Sequence, residues 1–263
     1  MTQCIPAKAY LGDRTTTSLV IADEITAIGD WAFAHMKELR SIMFPKKEIT
    51  FGKEIFLGCE KLETVYVVTT EKEQVDARIN LQEEKAARLL AKLLMTLSCQ
   101  ELLTPECVGE TAWYTKADEK ITAYLSQADE AGFSPVFFGG EEDYEEDVRS
   151  SQELFVKTVC QKKVELLLCR LEDKNGLGDA QKSFYEHCLL ERFIHQKETF
   201  WEVLVKNSQK RMEGFSIFLQ AGCVNEKTKE WVSQQESALP MEARAMLLQY
   251  QLAHFNREND FTL

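Results

Sequence analysis

The sequence predicts an α+β fold in which a short N-terminal coil of about two and a half repeats is packed on a larger, all-helical region. Two observations support this prediction. Apolar residues recur with a period of 23 over residues 19–67. From residue 71 onward the hydrophobic period changes from 2 to 3.6, which is typical of amphipathic helices. We therefore predict a repeat domain at 1–70 and a helical domain at 71–263.

The repeat is visible as two matched segments. Residues 28–33 read Ile-Gly-Asp-Trp-Ala-Phe, and residues 51–56 read Phe-Gly-Lys-Glu-Ile-Phe. The spacing predicts three short strands in register, at 19–21, 42–44 and 65–67. Apolar side chains at repeat spacing are expected to fill the interior of the coil, and the matched pairs are Phe33 with Phe56, Met36 with Cys59, Leu39 with Leu62, and Ile42 with Val65.

This pattern resembles the BspA-type leucine-rich repeat, I-G-x-x-A-F-x-x-C-x-x-L-x-x-I-x-I-P, named after a bacterial surface antigen. The resemblance covers residues 19–67 and is specific, because many positions match at a fixed period. The second copy departs from the pattern at Ile55, which replaces alanine, and it lacks the proline after its strand. The resemblance implies a coil with one strand per repeat and a role in adhesion or protein binding, most often in secreted proteins.

Between the strands, residues 30–36 and 53–59 are expected to form short helical turns on the opposite side of the coil. Gly29 and Gly52 are expected to adopt a backbone conformation that a Cβ would strain. Two and a half repeats are too few to be stable alone, since each repeat buries its apolar face only against its neighbours. We expect the helix that begins after Val68 to cover the C-terminal end of the coil.

The remainder of the chain is predicted to be helical, with segments at 71–98, 116–131, 152–172, 180–197, 200–205, 215–220, 226–236 and 240–252. Thr104-Pro105-Glu106 has the composition of a helix start. Met212–Asn225 resembles the second helix and exit turn of an ankyrin-like unit, and Ala243–Tyr250 resembles another such helix. That resemblance implies an α-solenoid, and a non-repetitive helical bundle remains the alternative.

The candidate functional residues form one patch of apolar and acidic side chains. The patch has two interpretations. It is either a solvated loop or helix start, or a functional surface that docks a basic partner or weakly binds a divalent cation. The patch lacks the D-x-D-x-D-G spacing of a dedicated calcium loop. Its members are Phe137, Phe138, Glu141, Glu142, Asp143, Tyr144, Glu145, Glu146 and Asp147.

No catalytic, cofactor or metal site is predicted, and the chain is not expected to be an enzyme. His187, Glu191 and His195 share one helical stripe, but the first and last are about 12 Å apart along the helix axis, too far for one metal ion. Cys188 falls on an apolar face and is predicted to be an inert buried thiol. The motifs of serine hydrolases, P-loops, dinucleotide-binding turns and zinc proteases are missing from the sequence.

Charge narrows the choice of partner. The formal net charge is −12, and residues 71–263 carry 34 acidic against 23 basic side chains. A negative field repels phosphates, so nucleic-acid and membrane binding are disfavoured and another protein is the expected partner. Neither a signal peptide nor a transmembrane segment is predicted, which favours a cytoplasmic location with the eight cysteines as free thiols. An unrecognised enzyme site in the helical region, and a self-associating protein or adhesin exported by another route, remain alternatives, and the oligomeric state is open.

Overall fold

The computed structural model describes residues 3–69, 81–134 and 144–255, with the side chains of 81–83 and 144–148 excepted. Within these ranges strands precede helices, which confirms the predicted α+β arrangement. The strands are β1 Gln3–Ile5, β2 Ser18–Val20, β3 Ile25–Ile28, β4 Ser41–Pro45, β5 Thr50–Phe51 and β6 Thr64–Val68. The helices are α1 Leu81–Leu97, α2 Thr111–Leu125, α3 Tyr144–Glu172, α4 Asp179–His195, α5 Lys197–Ser208, α6 Glu213–Gln220, α7 Lys229–Gln235 and α8 Met241–Phe255.

The strands form two parallel three-stranded sheets, in the orders β1-β3-β5 and β2-β4-β6. In the second sheet Ser18 pairs with Ser41 and Ser41 with Thr64, so that each turn of the coil contains 23 residues. The three predicted strands are confirmed by β2, β4 and β6. The prediction of one strand per repeat is wrong, because each turn also contributes a strand to the first sheet, and the coil already begins at Gln3.

The segments between the two sheets are not helical turns, which corrects the prediction for 30–36 and 53–59. Alternate backbone N–H groups donate to the next turn of the coil, while Ala34 and Met36 donate three residues back along the segment, to Trp31 and Phe33. The positive φ values of Trp31 and His35, +54° and +58°, are incompatible with a helical turn. Trp31 donates to the carbonyl of Lys53 at 2.9 Å, and Phe33 donates to that of Ile55 at 3.1 Å. The same ladder joins the first turn to the second, where Tyr10 donates to Ala32 at 2.8 Å.

The prediction for Gly29 and Gly52 is right about the need for glycine but wrong about its cause. Neither residue has a positive φ. A Cβ on Gly29 would instead lie 2.4 Å from the backbone nitrogen of Ala7, in the preceding turn. The corresponding residue of the first turn is Pro6, which has a Cβ and no earlier turn among the described residues to collide with.

The core of the coil is formed by the predicted side chains, and its rings are stacked along the axis. Phe33 and Phe56 are 5.7 Å apart between centroids, and Tyr10 lies at the same distance from Phe33 on the other side. Helix α1 packs against β6 at the C-terminal end of the coil. It buries its apolar stripe, which includes Ala86, Leu89, Leu90, Leu93 and Leu94. Of the expected helix 71–98, residues 71–80 lie outside the described ranges.

Backbone contacts divide the chain into two compact units. The first comprises Met1–Ser126 with Asp173–Leu177, and the second comprises Gln127–Glu172 with Gly178–Leu263. The domain boundary after residue 70 remains a prediction. Thr104-Pro105-Glu106 does not start a long helix, because Gly109, at φ +86°, follows a single turn and α2 begins only at Thr111.

In the second unit the long helix α3 packs against α4, α5 and α6, and α6 also contacts α8. Six rings fill the space between α4, α5, α6 and α7: Phe193, Phe200, Trp201, Phe215, Phe218 and Trp231. The ankyrin-like repeat is not confirmed, although α6 does end in a turn at Gly222, whose φ is +71°. None of the helices in the described ranges combines the length and apolarity that a membrane crossing requires.

Candidate interaction surface

The outer side of the β2-β4-β6 sheet carries two rows of side chains at the repeat period. Strand residues alternate in direction, so Ile42 and Val65, both 0% exposed, point into the coil while their neighbours point outward. We call this outer side the sheet face. It consists of a hydroxyl row, Ser18, Ser41 and Thr64, and an apolar row, Val20, Met43 and Tyr66.

The two rows differ in chemistry. In the hydroxyl row, the Ser41 hydroxyl donates to the Ser18 hydroxyl at 2.8 Å. In the apolar row, Val20 is 61% exposed, whereas Met43 and Tyr66 are half-buried. A flexible methionine beside a tyrosine is typical of surfaces that bind other proteins.

Ion pairs one turn apart line the side of the sheet face where the strands begin. Arg40 and Glu63 are 3.2 Å apart, and Lys61 and Glu38 are 2.6 Å apart. Hydrogen bonding to Lys61 lowers the pKa of the Glu38 carboxyl from its ordinary value. These groups are exposed, so they contribute little to stability. They provide a charged rim beside an apolar row.

A second column of side chains lies on the turns between the two sheets. Lys8, Trp31 and Glu54 occupy equivalent positions, with φ values of +61°, +54° and +47°. The Lys8 ammonium lies 5.5 Å from the Trp31 ring centroid, and the Trp31 indole N–H donates to Glu54 at 2.9 Å. The sequence prediction missed this column. The period itself could have found it, because the three residues are spaced 23 apart.

The predicted acidic patch is not described by the structure. Phe137, Phe138, Glu141, Glu142 and Asp143 lie outside the described ranges. Tyr144, Glu145, Glu146 and Asp147 form the first turn of α3, but their side chains are not described. The structure therefore neither brings these residues together nor separates them.

A buried charge cluster lies in the second unit. Asp129 receives hydrogen bonds from Arg192 at 2.9 Å, Lys163 at 2.8 Å and Gln196 at 3.0 Å. Burial alone would raise the pKa of Asp129, but the bonds from Arg192 and Lys163 outweigh it and lower the pKa from its ordinary value. The Lys163 side chain is 0% exposed. All of these groups are engaged with one another, so the cluster fixes the segment around Asp129 to α3 and α4.

The groups tested for chemistry in the sequence are not assembled into a reactive site. His195 and Glu191 form an exposed pair at 3.4 Å. Burial raises the pKa of the Cys188 thiol, which disfavours the reactive thiolate. Among the residues that the structure describes, no group of three or more His, Cys, Asp or Glu side chains is placed to hold a metal ion.

The described residues line at least two cavities. One of about 190 Å³ lies between the third turn of the coil and α1, where Phe56, Leu94 and Met95 make it largely apolar. It is smaller than the roughly 300 Å³ at which ligand pockets begin. The other, of about 410 Å³, is lined by Glu130, Glu153, Arg149 and Lys157, together with residues of α3 and α5. Neither lining includes a His or Cys side chain.

Comparison with known proteins identifies the N-terminal segment. Residues 3–76 match the family model described as the BspA type leucine rich repeat region (6 copies). The match confirms the resemblance and extends it at both ends beyond residues 19–67. It covers less than a third of the chain, and the helical region lies almost wholly outside it. No curated protein and no solved structure matches the chain.

Proposed function

We propose that the protein is a protein–protein interaction module that binds its partner through the sheet face. The observation that carries the proposal is the apolar row of Val20, Met43 and Tyr66, which crosses three strands in register. Leucine-rich repeats generally mediate protein–protein contacts, and repeat coils offer extended surfaces rather than closed pockets. Apolar side chains beside hydroxyls and a charged rim have the anatomy of a protein interface.

The test is a comparison of surface variants in affinity capture from the native host. Met43→Lys places a charge in the middle of the apolar row. The matched control is Leu248→Lys, because Leu248 is an exposed apolar residue on α8, in the second unit. We expect the wild-type chain and the control to recover the same proteins in equal amounts. The Met43→Lys chain should recover at least about tenfold less of them.

Equal recovery of the same proteins by all three chains would refute the role of the sheet face. A thermal melt of each variant shows whether the change in recovery reflects binding or unfolding. The strongest captured protein is then purified and titrated against the three chains by calorimetry. Only a direct complex that Met43→Lys weakens supports the proposal.

The acidic patch remains a second proposed docking surface, for a basic partner. It is supported by the composition of residues 137–147 and by the excess of acidic side chains in residues 71–263. Neutralising its acids to Gln and Asn should remove basic proteins from the captured set and leave those that depend on Met43. An unchanged set would refute this surface. If calorimetric titration with Ca²⁺ gives no heat of binding, the interpretation of the patch as a cation-binding site is excluded.

The location within the cell is a separate proposal. All eight cysteines are free, and five of them are buried. Free thiols persist in reducing compartments, so we propose that the protein functions in the cytoplasm. Fractionation of host cells tests this, and recovery of the full chain from the culture medium alone would contradict it.

A further inference from the structure

A cavity of about 190 Å³ lies inside the first unit, where the third turn of the coil meets the C-terminal end of α1. Its wall is apolar, since Phe56 and Leu94 are buried and Met95 is half-buried. The volume is too small for a drug-sized ligand. A cavity of about 150 Å³ with walls of this kind is nevertheless sufficient to bind benzene. The size and the wall therefore suit a single aromatic ring.

The stack of rings inside the coil ends at this cavity. Tyr10, Phe33 and Phe56 follow one another along the coil, with 5.7 Å between successive centroids. Phe56 belongs to the third turn, and α1 packs against β6 at that end of the coil. The cavity thus lies where a fourth ring would continue the stack. An aromatic ring bound there would gain the same contact with Phe56 that Phe56 has with Phe33.

The polar groups that line the cavity offer hydrogen-bond acceptors. Glu54 accepts the indole N–H of Trp31 through one carboxylate oxygen, and its other oxygen has no partner among the described residues. The amide nitrogen of Gln100 donates to the Gly52 carbonyl, which leaves the amide oxygen to accept. The Ser98 hydroxyl forms no hydrogen bond with another described residue. The described lining contains no Lys, Arg or His, so its polar side is complementary to a cation with several donors.

The end of α1 adds to this preference for a cation. A helix carries a partial negative charge at its C-terminal end, which basic residues often offset, and the last turn of α1 contains none. Ser98 follows this helix with a φ of +52°, at a position where glycine is usual. The serine keeps a hydroxyl in the lining at a cost in backbone strain. Strain of this kind concentrates at sites that bind ligands.

We propose that this cavity binds a primary amine that carries one aromatic ring on a short alkyl chain. The ring lies against Phe56, and the ammonium, which has three donors and no acceptor, is bound by Glu54, Ser98 and Gln100. The charge-assisted bond to Glu54 selects the amine over a neutral ring. A free arylalkylamine and the N-terminal aromatic residue of a peptide share this chemistry. The site is independent of the sheet face and of any protein bound there.

Calorimetric titration of the 263-residue chain with phenethylamine tests the site. The expected dissociation constant is about 1 mM or lower. Phenethyl alcohol keeps the ring without the ammonium, and butylamine keeps the ammonium without the ring. Each should bind at least about tenfold more weakly than phenethylamine, because each lacks one half of the recognition. Equal affinity of the three compounds, or no binding of phenethylamine up to about 10 mM, overturns the proposal.

Phenylalaninamide distinguishes the two sources of the ligand, because it has the ring and ammonium of a peptide N-terminus. Tighter binding than phenethylamine supports the site as one for an N-terminal aromatic residue. Weaker binding supports it as one for a free arylalkylamine. If phenylalaninamide and phenethylamine both fail to bind, the shared chemistry is wrong.

A charge variant tests the bond to the ammonium. Glu54→Gln keeps an acceptor for the Trp31 indole and removes the negative charge. It should weaken phenethylamine binding roughly tenfold. The matched control is Glu60→Gln, since Glu60 is an exposed acid of the same turn that does not line the cavity. The control should bind as the wild type does, and equal affinity of the two variants would overturn the ion pair.

A second variant separates binding from folding. Ser98→Gly removes the hydroxyl and places glycine at the positive φ, so thermal stability should be unchanged or higher. Phenethylamine binding should nevertheless weaken about threefold, because one acceptor is lost. A merely structural role of Ser98 predicts no loss of affinity, and that result would overturn its place in the site.

A filled cavity is the last test. Met95→Trp places a ring of the chain itself into the space that the ligand ring would occupy. Circular dichroism first shows that the variant is folded. Phenethylamine should then bind at least about tenfold more weakly than to the wild type. Undiminished affinity of the folded variant would overturn the assignment of the ligand to this cavity.

Discussion

Gly52 lies so close to Asp30 that a Cβ on Gly52 would stand 2.4 Å from the Asp30 backbone nitrogen. The two residues belong to successive turns, and Gly52 also donates its N–H to the Ile28 carbonyl at 2.7 Å. The Asp30 carboxylate accepts the N–H of Lys53, which holds the same two turns together at 2.7 Å. The glycine is thus required by the approach of two backbones.

Gly52→Ala should destabilise the coil by about 3 kcal/mol, because the backbone of Asp30 cannot move without breaking the ladder. The matched control is Gly12→Asn. Gly12 has a φ of +74° and open space around its Cβ position, and asparagine tolerates that conformation. Its cost should stay below about 1 kcal/mol. Urea denaturation of both variants measures the difference, and equal losses would contradict the steric argument.

Tyr114→Phe should cost about 1–3 kcal/mol, because it removes a buried hydrogen bond. The Tyr114 hydroxyl donates to Asp173 at 2.7 Å, and both side chains are almost fully buried. The control is Tyr66→Phe, which removes a tyrosine hydroxyl from a half-buried site. It should change the free energy of unfolding by less than about 0.5 kcal/mol. If chemical denaturation gave the same loss for both, the bond to Asp173 would have no special role.

Asp129→Asn should destabilise the second unit by about 3 kcal/mol near neutral pH, because Lys163 would remain buried without its anionic partner. Folding lowers the pKa of Asp129 below its ordinary value of 3.8. The ionised carboxylate therefore makes its full contribution to the free energy of unfolding at any pH well above 3.8. The contribution is lost as the pH falls through the lower, folded-state pKa. The stability gap between wild type and variant should therefore be constant from pH 5 to 7 and narrow under acid conditions.

The control for this measurement is Glu202→Gln. Glu202 pairs with Lys157 at 2.8 Å, but both side chains are well exposed. Its loss should cost less than about 1 kcal/mol. A gap for Asp129→Asn that stays unchanged down to pH 2 would mean that the carboxylate charge does not stabilise the cluster.

Thiol reactivity should follow burial. Desolvation raises the pKa of Cys59 to about 11 and that of Cys223 to about 12, and the Cys59 thiol donates to the Phe33 carbonyl. At pH 8, iodoacetamide should label the exposed Cys4 at least roughly a hundredfold faster than either of them. Peptide mass spectrometry gives the rates, and labelling in guanidinium is the control. Equal labelling rates at Cys4 and Cys223 in the folded protein would contradict the burial of Cys223.

The period of 23 was sufficient to predict the coil, three of its strands and its core, because Phe33, Leu39 and Ile42 are repeated by Phe56, Leu62 and Val65. The first turn was missed because its side chains depart from the pattern. Tyr10 replaces phenylalanine, and Asp13 stands where Met36 and Cys59 are buried. Asp13 turns instead to the hydroxyls of Thr15 and Thr16, at 2.8 and 2.6 Å.

The second strand of each turn was missed for a different reason. Thr50–Phe51 is only two residues long, and no alternation can be recognised over so short a segment. In the helical region, the sequence located α3 to α8 from their apolar faces. It could not show that Asp129, Lys163 and Arg192 converge, because the three residues come from distant parts of the chain. The sheet face was likewise invisible until β2, β4 and β6 had been placed side by side.

The column of Lys8, Trp31 and Glu54 shows that the 23-residue repeat of the β2-β4-β6 sheet also holds in the segments between the sheets. A duplication of the gene segment encoding residues 29–51 would therefore insert one complete turn, with every ladder bond and stacked ring reproduced. An insertion of a single residue within a strand would instead shift the residues that follow it to the opposite side of the sheet. Natural relatives of this chain should thus differ in the length of the coil by whole multiples of one turn, while both of its ends stay the same.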